Sequence, residues 1–181
     1  LYTYPGRSYA GRVEIVDIGV PVNLLTDEHI RWNLLCREDV KGILRPRPGD
    51  SHKSTYGHLL VIAGSPGKTG AAYMTAMGAM RIGAGLATVA LPRGLNAVME
   101  AKTTEVMTEP LPETGDGLLD AASFEVIRGI AGGKTCIAAG PGLGNTGGVY
   151  KLMEMMVTER EAPLVIDADG LNAFIGRVPL L

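Results

Sequence analysis

Four short apolar runs fix the architecture open to this chain: 58–63 (HLLVIA), 86–91 (LATVAL), 135–139 (TCIAA) and 163–167 (PLVID). Each is uninterrupted rather than alternating, and each is too short for a buried helix. Such runs are strands covered on both faces, the texture of a parallel sheet. Between them lie segments with helical spacing at 71–81, 94–102, 119–130 and 147–160, and a weaker strand at 105–108. Strand and helix alternate through glycine-rich links, which predicts an α/β fold with an open, mostly parallel sheet and helices on both faces. Glycine supplies 25 of the 181 residues, twice the usual ~7%. No three-residue period accompanies it, so the excess belongs to tight turns and close backbone approaches.

The first 50 residues have a different texture. Residues 13–18 read as a short strand closed by Gly19-Val20-Pro21, and Thr26-Asp27-Glu28 as a helix start with Thr26 as N-cap. The stretch from there to Leu44 is polar and weakly helical, and Arg45-Pro46-Arg47-Pro48-Gly49-Asp50 is a breaker cluster that marks a domain boundary.

Composition removes several functions. A formal net charge of −2 with scattered Lys and Arg builds no phosphate-backbone footprint, so nucleic acid is not an expected partner. No apolar stretch approaches the ~20 residues a membrane helix needs. Cys36 and Cys136 form no CxxC or Cys/His cluster, so they read as buried thiols of a reducing cytoplasm, with no metal site. His29, His52 and His58 share no ligand spacing, and the methionines of 71–81 and 153–156 read as core filler.

Three segments carry candidate chemistry. The first, Ala63-Gly64-Ser65-Pro66-Gly67-Lys68-Thr69-Gly70, contains Gly-Lys-Thr but lacks the phosphate-loop spacing, because Ile62 stands where the earlier glycine belongs. It reads either as a turn that lets a ligand approach a helix N-terminus or as a plain strand-to-helix turn. In the second, Gly142, Gly144 and Gly147 satisfy GxGxxG between a strand and a helix. Asp167 follows at the ~20-residue distance of a ribose-binding acid. A dinucleotide fingerprint and packing-only glycines both remain open, and Pro141 restrains the loop. In the third, Val165-Ile166-Asp167-Ala168-Asp169-Gly170-Leu171-Asn172, two carboxylates lie where a buried strand ends. The carboxyl ends of parallel strands are where ligands bind, although helix capping would also account for Asp169.

Together, in this order, these segments resemble the ADP/ATP-dependent NAD(P)H-hydrate dehydratase family. The resemblance is carried by His52-Lys53-x-x-Tyr56-Gly57-His58, LVIAGSPGKTGAA, RIGAGLATVALP, AAGPGLG and LVIDADGLNAF, over about residues 41–176. It implies a ribokinase-like fold, truncated here at the C-terminus, within residues 51–181. Residues 1–24, with YAGRVEIVDIGVP, look like the tail of an NAD(P)H-hydrate epimerase domain, which leaves 25–50 as a linker. The implied reaction is nicotinamide-nucleotide repair. ADP or ATP, with Mg²⁺, phosphorylates the ring hydroxyl of hydrated NADH or NADPH, and loss of phosphate restores the dihydronicotinamide. By motif, Ala71 and Gly144 would touch the hydrated dinucleotide and Gly142 would shape the loop. Asp167, Asp169 and Asn172 would lie beside the phosphate-transfer centre, and Lys53 at the mouth of the site. The resemblance further implies a cytoplasmic homo-oligomer.

The family's His-Pro-Gly-Glu block and its Gly-Thr-Gly-Asp block, which supplies the catalytic aspartate, do not occur in these residues. The expectation is that the 181 residues alone do not catalyse dehydration, and that a sheet cut short leaves an uncovered edge. Two other readings stand beside this one. A Rossmann-type NAD(P)-dependent oxidoreductase rests on the glycines at 142–147, and a non-catalytic nucleotide sensor follows only if the complete protein also lacks that aspartate.

Overall fold

The computed structural model describes residues 1–181 except 31, 44, 45 and 161. The chain divides into two units, Leu1–Arg47 and Pro48–Leu181. The predicted ends at Leu44 and Arg45 lie outside the described residues.

In the first unit the helical turns are short: α1 (Gly6–Tyr9), α2 (Val22–Leu25) and α3 (Arg37–Lys41). None of its described residues is buried. The strand expected at 13–18 does not form. A strand needs a neighbour for its N–H and C=O groups, and Ile15, Val16 and Ile18 lie exposed instead. Thr26 does not start a helix either. Its N–H and Oγ1 both donate to the Val22 carbonyl at 3.0 Å, which closes α2 behind it. Pro21, which has no N–H to leave unpaired, stands at the entrance. Cys36 is exposed rather than buried, and it and Cys136 are both free thiols.

The second unit is the α/β fold. Its elements are β1 (His58–Ile62), α4 (Thr69–Ile82), β2 (Leu86–Pro92), α5 (Asn96–Lys102), β3 (Met107–Leu111), α6 (Phe124–Ala131), β4 (Cys136–Ala139), α7 (Gly147–Thr158), β5 (Leu164–Ile166) and α8 (Asp169–Asn172). The five strands pair in parallel in the order β3-β2-β1-β4-β5. Pro110 is tolerated because β3 is an edge strand.

The uninterrupted apolar runs bury both faces through strand alternation. Leu60 and Ile62 point to one layer, where they meet Phe124, Ile127, Leu152 and Met153 of α6 and α7. Val61 and Ala63 point to the other, against Ala72 and Ala76 of α4 and Met99 of α5. Small residues on α4 let that helix lie close to the sheet. Met74, on its opposite side, is 67% exposed, so not every methionine of this helix is core. At the far edge, Val165 of β5 is 58% exposed. Among the described residues no helix is long and apolar enough to cross a membrane.

Strand order is secured at the amino edge by close main-chain contact. A Cβ on Gly85 would stand 1.7 Å from the Lys53 carbonyl oxygen, and that carbonyl belongs to backbone that cannot swing aside. Gly78 is exposed in the middle of α4, and a Cβ there would meet nothing within 4 Å. The expected outcome in denaturant titrations is that Gly85→Ala destabilises by about 3 kcal/mol or more. Gly78→Ala should stabilise by about 0.5–1 kcal/mol, as helix propensity alone requires.

Candidate functional site

A parallel sheet delivers all its strand-to-helix loops to one edge. The order β3-β2-β1-β4-β5 reverses direction between β1 and β4, and the crevice beside such a reversal is where α/β sheets take ligands. The loops that follow β1 and β4 are the two glycine-rich segments singled out in the sequence.

These loops are bonded to one another. Gly64 N–H donates to the Pro141 carbonyl at 2.9 Å, and the buried Ser65 Oγ donates to the Gly142 carbonyl at 2.7 Å. Gly142, at φ +69°, lies directly on the first turn of α4. A Cβ there would stand 3.0 Å from Lys68 Cβ and 3.1 Å from Ala71 Cβ. Its bare Cα is therefore required by packing between the loops. Ala71 is half-buried at this junction. Gly144 needs its glycine for its backbone, at φ +92°, and a Cβ would find only Leu118 Cδ2, at 3.6 Å. Leu118 belongs to the segment after β3. Gly117 of the same segment lies against Pro66, 3.0 Å from a Cβ position to Pro66 Cγ. Loops after three strands thus meet at one place.

The fourth contributor follows β5. The strand ends at Ile166, and Ala168 adopts φ 51°, ψ −122°, a first-corner turn geometry that favours glycine. Gly170 N–H returns to the Asp167 carbonyl at 2.9 Å. This turn separates the two aspartates. Asp167 is exposed at the rim of the cluster. Asp169 swings inward. Its Oδ2 accepts from Lys68 Nζ at 3.0 Å and from Gly144 N–H at 2.8 Å, and its Oδ1 accepts from Asn145 Nδ2 at 3.2 Å. Asn145 Oδ1 in turn accepts from Asn172 Nδ2 at 3.0 Å. Burial works to raise the Asp169 pKa, but the bonds from Lys68, Gly144 and Asn145 outweigh it and hold the carboxyl below its ordinary value.

The structure therefore brings Ala71, Gly142, Gly144, Asp169 and Asn172 together, with Asp167 beside them. Two expectations are corrected. Asp169 makes no capping bond at α8, whose N-cap is Ala168; the turn redirects it to the facing loop. Lys53 opens the short turn Lys53–Tyr56 ahead of β1. That turn is fastened to Gly85 and Leu86 through the Tyr56 and Gly57 carbonyls. Residues that precede parallel strands sit at the amino edge, so Lys53 lies across the sheet from this cluster. Lys68, Asn145 and Ser65 were missed as partners. All three stand inside the two glycine segments; Lys68 stood out within Gly-Lys-Thr but was set aside with the phosphate-loop spacing, and no spacing rule distinguishes Asn145 or Ser65 from loop filler.

A hollow of about 520 Å³ lies over the amino halves of the strands and is lined in part by His58, Thr88, Glu109 and Lys134. His58 Nε2 pairs with Thr88 Oγ1 at 2.8 Å. Burial, with the Lys134 charge, lowers the His58 pKa.

The sequence profile of the NAD(P)H-hydrate dehydratase family matches residues 59–176. The chain belongs to this family. It is 38% identical over 173 residues to the bifunctional NAD(P)H-hydrate repair enzyme Nnr of Moorella thermoacetica, covering 96% of this chain and 33% of that protein. The Nnr of Salinibacter ruber is 36% identical, with the same coverage of 96% and 33%. The chain spans about one third of the length of these curated relatives. Among solved structures, the Bacillus subtilis ADP/ATP-dependent NAD(P)H-hydrate dehydratase co-crystallised with ATP/Mg²⁺ superposes with a TM-score of 0.58 at 28% identity, over 74% of this chain and 45% of that one. A ribokinase-like superfamily protein of Enterococcus faecalis, at 24% identity, has a TM-score of 0.61 over 79% of this chain and 50% of its own. The ribokinase-like fold expected from the sequence is thereby established. The Rossmann alternative rested on the glycines at 142–147, but its fingerprint belongs on the first strand-to-helix turn of that fold, and here GxGxxG follows β4.

Backbone strain at Ala168 is the local cost of turning Asp169 inward. Ala168→Gly removes the Cβ from a conformation that alanine rarely adopts. It should raise stability by about 1 kcal/mol in a chemical denaturation curve.

Proposed function

We infer that this chain is part of a bifunctional enzyme that repairs hydrated NADH and NADPH, and that residues 51–181 carry the substrate-side half of its dehydratase site. The observation that carries this reading is the meeting of the loops after β1 and β4 at the strand-order reversal, with Asp169 bonded to both. Residues 1–24 correspond in this reading to the end of the epimerase half, with 25–50 as its linker. A cytoplasmic location and assembly of several copies belong to the same reading.

Hydroxide is a poor leaving group from the hydrated ring and phosphate a good one. Transfer of a phosphoryl group from ADP or ATP to the ring hydroxyl forms the O–P bond and releases AMP or ADP. Loss of that phosphate with a ring proton then restores the double bond of the dihydronicotinamide. For such chemistry the protein supplies position and charge. Ala71 and Gly144 flank the dinucleotide, and Gly142 locks one loop onto the other. Gly144 N–H is already given to Asp169, so the ligand meets the bare Cα there rather than an amide.

The residues present accommodate Mg²⁺ carried on nucleotide phosphates, which needs only one or two protein carboxylates. Both Asp169 oxygens are occupied by N–H donors, which leaves Asp167 as the hard oxygen donor at this rim. The ion would supply neutralisation of phosphate charge. Among the described residues no group of three His, Cys, Asp or Glu could hold a metal unaided.

The reading is tested by following NADH absorbance after mixing the full-length polypeptide with hydrated NADH, Mg²⁺ and either ADP or ATP. Regeneration should require the nucleotide, should fall about tenfold or more in Gly142→Ala, and should be absent with residues 1–181 alone. Regeneration by the full-length protein without ADP or ATP would contradict it.

A further inference from the structure

Lys68 and Asp169 come from opposite ends of the α/β unit yet form one ion pair, Nζ to Oδ2 at 3.0 Å. The two partners are unequally placed. The Asp169 side chain is 16% exposed and that of Lys68 is 49% exposed. A carboxylate only accepts, and Asp169 already receives three donors, two on Oδ2 and one on Oδ1. It has little left to offer an anionic ligand and is held ionised by those same bonds. An ammonium has three N–H groups, of which the structure commits one to Asp169. Among the described residues no other partner takes them up, and they face the open side of the junction.

The chain position of Lys68 adds to this. It is the N-cap of α4, a helix of 14 residues with no acidic residue in its first turn, and it lies against Gly142 on the loop opposite. Without a partner, a lysine stem on an exposed loop would sample many rotamers. Asp169 is fixed from behind by the Gly144 amide and by Asn145, which Asn172 braces. It therefore acts as a tether that keeps the ammonium over the seam between the two loops.

We propose that Lys68 contacts phosphate oxygens of the nucleotide-bearing ligand, and that Asp169 is a positioning residue that acts through Lys68 rather than touching substrate. This rests on the repair-enzyme reading and deepens it, because phosphate oxygens occur on both the hydrated dinucleotide and on ADP or ATP. A half-exposed ammonium held in one place in advance suits such a group better than it suits the neutral nicotinamide ring.

The test uses the full-length polypeptide with Lys68→Met, Lys68→Arg, Asp169→Asn and the double variant Lys68→Met/Asp169→Asn. KM and kcat are measured with hydrated NADH varied at saturating ADP, and again with ADP varied. Lys68→Met should raise one of the two KM values about tenfold while kcat stays within about twofold; the KM that moves identifies which ligand carries the phosphate. Asp169→Asn should raise the same KM, by about threefold. The double variant should be no worse than Lys68→Met, since a tether has nothing to hold once the ammonium is gone. Lys68→Arg should restore most of the loss. Unchanged KM values in Lys68→Met, multiplying effects in the double variant, or failure of Lys68→Arg to rescue would each overturn the proposal. Titration calorimetry of ADP and of NADH on the same variants reads the Lys68 contact without turnover. A wild-type protein with no dehydration activity, but with binding of one of these ligands weakened about tenfold by Lys68→Met, would sink the repair reading and leave the contact standing.

Discussion

The site depends on two main chains in direct contact. A Cβ on Gly140 would stand 1.9 Å from the Asp167 carbonyl oxygen, and a Cβ on Gly170 would stand 2.8 Å from Gly140 Cα. No side chain fits between the end of β4 and the turn after β5, so the turn is pressed against the loop at 140–147. That approach is what lets a single short side chain, Asp169, reach Gly144 N–H and Asn145 while still meeting Lys68 from the loop after β1. Remove the contact and the carboxylate has no reason to converge with either loop.

Topology supplies the rest. Parallel pairing sends the loops after β1, β3, β4 and β5 to the same edge, and the order reversal between β1 and β4 parts the helices that follow them. The small residues of α4 and the glycines of the β4 loop then decide how closely those parts approach. Charge is placed last, with one carboxylate turned inward to hold a lysine and a second left at the rim. For a reaction in which a phosphoryl group must be held and its charge balanced, that division of labour is physically sensible.

Much of this was legible in the sequence because burial on both faces leaves a strong mark. The runs at 58–63, 86–91 and 135–139 became β1, β2 and β4, each with one bound shifted by a single residue. The run at 163–167 shortened to β5 at Leu164–Ile166, because the turn at Ala168 begins its work at Asp167. The 13–18 run misled because a stretch of strand-forming residues cannot itself supply the neighbouring strand. Asp169 was open to a capping reading since capping and cross-loop bonding ask for the same residue type; only φ at Ala168 separates them. Lys53 stood inside a matching block, yet motif order says nothing about which end of the sheet a block occupies. Lys68 stood in view within Gly-Lys-Thr but was set aside with the phosphate-loop spacing; its pairing with Asp169, like that of Asn145, was invisible because the partners are distant in sequence and no local periodicity links them.

The two glycine loops and α8 together form one surface at the carboxyl edge, and on that surface the proposed function stands. Backbone amide resonances of the full-length protein, assigned and titrated with hydrated NADH, test it most directly. Saturable shifts at Ala71, Gly144 and Asn145, with Lys53 and His58 unmoved, are the predicted result. Shifts confined to the amino edge around Lys53, with the loops at 64–70 and 140–147 silent, would contradict it.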